Sequence, residues 1–207
     1  TLKPGEHQLE LKTPLPQAVS FQVNDKSYQS QHITVKNKRH VSPNKLDMER
    51  IGKESALSKA ALRHWRDSHP TLPELILPTH GRLSSPFGLR RYFNEQPRKP
   101  HSGIDIAAPE GTPIIAPADG VVVQSGEFFF NGKTLFIDHG QGLITMYCHM
   151  DEIHVTEGQR IQRREQLGTV GTTGRSTGPH LHWGVSLNDA RIDPSLLSPE
   201  LQQLQQQ

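Results

Sequence analysis

The 207-residue sequence predicts a mainly β protein: an antiparallel β-sandwich or barrel-like unit, preceded by a small β region and a connecting helix. Composition points this way first, because 17 Gly and 16 Pro with only 33% hydrophobic residues suit a turn-rich β chain better than a helix bundle. Thirteen of the glycines fall between Gly103 and Gly184, and they separate brief β-prone runs. Helical periodicity is concentrated in one stretch, residues 44–68.

Residues 1–43 form the first expected unit, a partial accessory β domain. "HQLELKTPL", "AVSFQVNDKSYQ" and "HITVKNKRHV" alternate in the period of strands, and Asn24-Asp25 is expected to turn a hairpin. Residues 44–76 follow as a connecting helix and linker. Asn44 is the expected cap, and Leu46, Ile51, Leu57, Ala60 and Trp65 form the expected apolar stripe, free to pack on either neighbour. Pro70 and Pro73 are expected to end the helix. Residues 77–197 contain the runs "TPIIAP", "GVVVQSG", "KTLFIDHG", "LITMYCHM", "QRIQRREQLGTVG" and "HLHWGVSL", with the spacing of a sandwich or barrel. Residues 198–207 end in "LQQLQQQ", expected to be a frayed polar tail.

Charge excludes some partners. Residues 1–76 carry 12 Lys/Arg against 8 Asp/Glu, and the remainder 11 against 13, so no concentrated basic face for nucleic acid is expected. No apolar run approaches the ~20 residues of a membrane span. A single cysteine, Cys148, precludes an internal disulfide and is expected to be a small core hydrophobe. Because the chain opens on Thr1, a processed or truncated product is expected.

Three short motifs carry chemistry. In "GPHLHWG", His180 and His182 sit at i and i+2, so on a strand they share one face at roughly 6–7 Å while Leu181 turns to the core. In "HSGID", a straight strand would hold His101 and Asp105 ~13 Å apart, too far to share an ion bound at about 2 Å. The segment must therefore bend, and Gly103 permits a bend. His101, Asp105 and one histidine of "HLH" then make a three-ligand set with a fourth position open, the arrangement of catalytic zinc. In "YCHM", strand alternation puts Tyr147 and His149 on one face and Met146, Cys148 and Met150 on the other. Spacing leaves His149 open between a role beside the metal and a solvent-facing position. His139, in "DHGQG", is expected to hydrogen-bond its turn. His7, His32, His40, His64, His69, His80 and His154 have no evident partners.

Together these motifs resemble the lysostaphin/LytM-type zinc endopeptidases that cut peptidoglycan cross-links. "SSPFGLRR", "GTPIIAPADGVVVQSG" and "EGQRIQRREQLGTVGTTGRSTGPHLHWGV" extend the likeness over about residues 80–195. The resemblance implies one Zn²⁺ per chain held by His101, Asp105 and His182. It also implies that His149 and His180 do not bind metal but contact the attacking water and the developing oxyanion. Arg90, Asn94 and Tyr147 are the expected groove residues. The N-terminal region looks like the accessory β region before some Gram-negative envelope members. That likeness implies a cell-envelope location, periplasmic or exported, with peptidoglycan as partner and the D-alanyl–diaminopimelate bond as target.

Two other readings stay in view. One is a latent or silent relative that binds the wall or activates an amidase, although all five expected positions are filled. A latent enzyme would have residue 94 or the N-terminal region in its groove. The other is a biotinyl/lipoyl-type carrier, which needs a modifiable lysine; only Lys133 lies between the half-motifs, without flanking methionines.

Overall fold

The computed structural model describes residues 2–11, 17–68 and 72–205. The 12–16 connection, His69 and Pro70 lie outside the described residues. Strands β1 (Gly5–Leu11) and β2 (Gln17–Val23) pair antiparallel, with Leu9 opposite Val19 and His7 opposite Phe21. The next strand, β3 (Ser30–Ile33), does not fold back on β2, so Asn24-Asp25 turns no hairpin. Val19 and Phe21 already face β1, whereas β3 pairs in parallel with the distant stretch Arg90–Phe93. That pairing crosses the boundary expected at residue 43.

Helix α1 (Lys45–Leu62) begins as the sequence predicts. Asn44 Oδ1 accepts from the Asp47 amide at 2.9 Å, and Asp47 Oδ2 accepts from the Asn44 amide at 3.2 Å, a reciprocal cap. It ends earlier than the prolines suggested. The apolar stripe is also wrong, since Leu46, Leu57 and Trp65 are 74%, 47% and 55% exposed. The inward face runs instead through Asp47, Ile51, Glu54, Ser58, Ala61 and Leu62. Its polar members have a physical reason to face in. Glu54 accepts the Phe129 amide at 2.7 Å, and Arg50 donates to the Glu127 carbonyl at 2.9 Å. The helix thus satisfies backbone groups beside a strand end that would otherwise be unpaired.

The remaining strands include all the runs expected in residues 77–197 and add several that no run announced. They are β4 (Arg82–Ser85), β5 (Arg90–Phe93), β6 (Gln96–Pro97), β7 (Ile104–Ala107), β8 (Pro113–Ile115), β9 (Gly120–Phe128), β10 (Gly132–Asp138), β11 (Leu143–Ile153), β12 (Arg160–Ile161), β13 (Gln166–Val170), β14 (His180–Leu187) and β15 (Ala190–Ile192). Strands β3, β5 and β6 make a small sheet. The large sheet runs β12-β9-β10-β11-β14-β7-β4, with β13 pairing β11 and β8, and β15 pairing β14.

Strand alternation gives this sheet two apolar faces. Leu135, Ile137, Leu143, Tyr147, Leu181 and Trp183 are fully buried in the main core with Ile104. Phe136, Ile144, Met146 and Cys148 point the other way and are covered by Ala61 and Leu62 of α1. Each such side chain contributes roughly 1.5–3 kcal/mol on burial. The helix therefore belongs against the large sheet, and burial pushes the Cys148 thiol up to about 12, as suits a core hydrophobe. The C-terminal stretch is not frayed throughout: Pro199–Gln205 form helix α2, because Leu201 anchors it in the main core at 1% exposure.

His139 is buried, with Nδ1 2.7 Å from the Asp119 carbonyl and Nε2 2.8 Å from Thr145 Oγ. It braces a neighbouring loop rather than its own turn, which is closed by Asp138 Oδ1 accepting from the Gly140 amide at 2.6 Å. Burial lowers its pKa from the ordinary value of 6.5, so the folded chain holds it neutral. The unfolded chain then takes up a proton first as pH falls through 6.5, and stability is lost in that direction. The expected loss from this group is at most about 1.4 kcal/mol per pH unit. Thermal midpoints between pH 7 and pH 5 should fall less steeply for His139→Gln than for the parent chain; equal slopes would assign the acid sensitivity elsewhere.

Candidate metal centre

The site is built on the register of β7 and β14. Asp105 lies directly opposite His182, and His180 opposite Ala107. His180 and His182 therefore face one cleft, while Leu181 between them is fully buried. His101 precedes β7 and is tied back by its amide to the Leu89 carbonyl at 2.9 Å. Gly103 allows the approach by its size. A Cβ there would meet the Trp183 carbonyl oxygen at 2.3 Å, so only glycine lets this segment lie against β14.

Three ligand atoms converge. His101 Nε2 is 3.0 Å from Asp105 Oδ1 and 2.9 Å from His182 Nδ1, and the last two are 2.8 Å apart. All three residues are buried, and among the described residues they form the one group able to hold a metal ion. The chemistry of the donors fits a divalent cation. His101 Nδ1 is 2.8 Å from the Pro86 carbonyl, which can only accept, so Nδ1 carries the proton and Nε2 offers its lone pair. Burial lowers His182 to about 4, leaving it neutral at neutral pH. Burial opposes ionisation of Asp105, yet the adjoining His101 and His182 rings prevail and hold its pKa well below the usual carboxylate range. Two imidazoles and a carboxylate are a zinc-type donor set.

His149 enters from β11 by a kink. Its φ is +62°, a conformation costly for a non-glycine residue, and the β10–β11 register shifts at this point. The kink breaks the expected alternation. Tyr147 and Met150 both point into the main core, and His149 alone turns to the cleft. Tyr147 is consequently no groove residue: it is fully buried, with its hydroxyl 2.9 Å from Thr145 Oγ. His149 Nδ1 is 2.8 Å from the Thr173 carbonyl, and His180 Nδ1 is 2.8 Å from the Gly178 carbonyl. Both rings thus donate from Nδ1 and present Nε2. Their centroids are 4.8 Å apart. Burial, then the neighbouring His180, lowers His149 to about 3.

A groove of about 670 Å³ opens beside these residues. One wall is Gln31, the stretch Ile33 to Asn37 and His40, and the other includes Ser85, Arg91, Arg175 to Pro179 and His180. Arg90 is exposed and off this groove, whereas its neighbour Arg91 reaches the site. Adjacent residues of a strand face opposite ways, and only the tertiary placement of β5 decides which arginine points in. Asn94 does not reach the ligand set. Its amide grips Val35, accepting from the backbone N–H at 2.8 Å and donating to the carbonyl at 3.1 Å.

The model of peptidase family M23 matches residues 99–194. DD-carboxypeptidase/endopeptidase Mpg of Neisseria meningitidis serogroup B is 42% identical over 125 residues, 59% of this chain and 29% of that protein. Peptidoglycan DD-endopeptidase ShyC of Vibrio cholerae is 41% identical over the same shares of the two chains. The chain thus spans about three tenths of the length of these curated relatives. A crystal structure of a peptidase M23 protein from Pseudomonas aeruginosa superposes with a TM-score of 0.76 at 44% identity, covering 95% of this chain and 75% of that one. A zinc-containing peptidase from Vibrio cholerae gives a TM-score of 0.54 at 34% identity, over 57% of this chain and 38% of that one.

Metal analysis separates ligands from neighbours. Asp105→Ala should lose stoichiometric zinc by elemental analysis, and His149→Ala should keep it. Full zinc in the Asp105 variant would remove that carboxylate from the ligand set.

Proposed function

The chain belongs to peptidase family M23, and from that premise we propose that it is a zinc endopeptidase hydrolysing peptide cross-links of bacterial peptidoglycan in the cell envelope. His101, Asp105 and His182 would hold a single zinc ion. The observation that carries this reading is the convergence of these three donors beside two further histidines whose Nδ1 atoms are committed to backbone carbonyls. Bound there, zinc supplies Lewis acidity that polarises the scissile carbonyl and lowers the pKa of water towards 7.

The chain's own groups then handle the protons. Neutral at rest, His149 can accept the proton of the attacking water at Nε2, since its other nitrogen is committed to Thr173. His180 presents Nε2 on the same side and, once protonated, donates to the developing oxyanion or the leaving amine. Burial and the neighbouring His180 ring both disfavour a resident proton on His149, which leaves it ready to accept one. The strain at His149 keeps its ring aimed into the cleft. The names of the relatives support a DD bond, and the accessory region supports the D-alanyl–diaminopimelate cross-link rather than a glycine bridge.

Purified cross-linked muropeptide dimers, digested with and without a chelator and resolved by mass spectrometry, test this directly. Chelator-sensitive release of monomers is expected, and fragment masses separate cross-link cleavage from removal of a terminal D-alanine. No cleavage by a chain shown to hold zinc would overturn the enzymatic reading. In the same assay, His149→Ala and His180→Ala should each lower turnover by about 10²–10⁴ while retaining zinc. Loss of zinc together with activity would make the altered histidine a ligand.

A further inference from the structure

Asp105 uses one oxygen towards the two histidines and the other towards a side chain outside the ligand set. Oδ1 faces His101 and His182, while Oδ2 accepts a short hydrogen bond from Arg91 Nη2. The guanidinium is held in turn, with Nε donating to Gln31 Oε1 at 3.1 Å. Gln31 Nε2 then donates to Ser85 Oγ at 3.1 Å, and Ser85 lies opposite Asp105 in the β4–β7 register. The circuit from β3 through β5 and β4 back to β7 is closed. It exists because β3 and β5 are parallel with Gln31 level with Arg91, which sets their side chains adjacent on one face.

From this circuit we infer that Gln31 and Arg91 are positioning residues for the metal centre: the accessory strand β3 orients the Asp105 carboxylate through the Arg91 guanidinium. The inference rests on the zinc reading above and extends it to residues far outside the three motifs. Charge cannot be the benefit, because a cation beside a ligand carboxylate opposes a bound cation. Geometry is. A planar fork fixed at Nε by Gln31 and at Nη2 by Oδ2 leaves the carboxylate one orientation, with Oδ1 to the histidines. The salt bridge is well shielded, with side-chain exposures of 17% and 8%. The rest of the segment is secured independently, by Asn94 on Val35 and by Arg98 Nη2 donating to the Val41 carbonyl at 2.8 Å. Substitution of Gln31 therefore leaves other attachments in place.

The test is the zinc dissociation constant of the full chain, measured by competition with a chromogenic chelator, alongside kcat and KM on muropeptide dimers. Arg91→Lys keeps the charge and loses the fork, and should weaken zinc binding by about 10–100-fold. Gln31→Ala should fall between that variant and the parent, and Gln31→Glu, which keeps the acceptor for Nε, should recover towards the parent. His32→Ala, on the opposite face of β3, should bind zinc as the parent does. Parental affinity in Arg91→Lys and Gln31→Ala would overturn the inference, as would a loss confined to KM, which would make Arg91 a substrate contact. Failure of His32→Ala by the same factor would also overturn it, since any damage to β3 would then suffice. A parent chain that binds no zinc overturns the metal reading and this inference with it.

Discussion

Asp105 faces His182 across two antiparallel strands, and the site depends on that pairing. In a strand pair a slip of one residue turns every side chain to the opposite face, which here would bury both histidines and push Leu181 into the cleft. The register is defended by the core. Ile104, Leu181 and Trp183 are fully buried beside the ligands, so moving the donors means exposing those side chains. The stability of the core and the placement of a polar site are thus one constraint, enforced by alternation along β7 and β14.

Departures from regularity occur where the site needs them. Gly103 lets the His101 segment lie against the Trp183 backbone. At His149 the strand is kinked into a left-handed conformation, so one residue of an otherwise core-facing run reaches the cleft. The neighbouring backbone completes the preparation. Carbonyls of Pro86, Thr173 and Gly178 accept from Nδ1 of His101, His149 and His180, and so decide which ring nitrogen of each faces inward. A site lined by imidazoles is useful only when each tautomer is set, and backbone acceptors set them without adding charge.

The N-terminal region is joined to this architecture at the centre rather than appended to it. Strand β3 lies on β5, Asn94 grips Val35, and Arg175 stacks between Phe93 and Phe130 while donating to the His40 carbonyl at 3.2 Å. These contacts make Gln31, Ile33 to Asn37 and His40 one wall of the groove. The motif-bearing strands and the accessory segment therefore line one cleft.

Much of this was legible from residues alone. The mainly β class follows from glycine-punctuated runs, the helix start from Asn44, and the donor set from the spacing and resemblance of "HSGID" and "HLH". These are local signals, written in neighbouring residues and in periods of two or 3.6. What failed was non-local. The inward face of α1 is polar because it meets strand-end backbone, and Leu201 orders a polar tail because a core lies beneath it. Tyr147 is buried because it shares the core face of β11 with Leu143 and the kink turns only His149 away from it, and Arg91 rather than Arg90 reaches the site because β5 meets β3. The sequence by itself determined which side chains could bind a metal and which strands would carry them. Only the tertiary structure decided which residues surround them, because packing, register and one left-handed residue depend on partners tens of positions away.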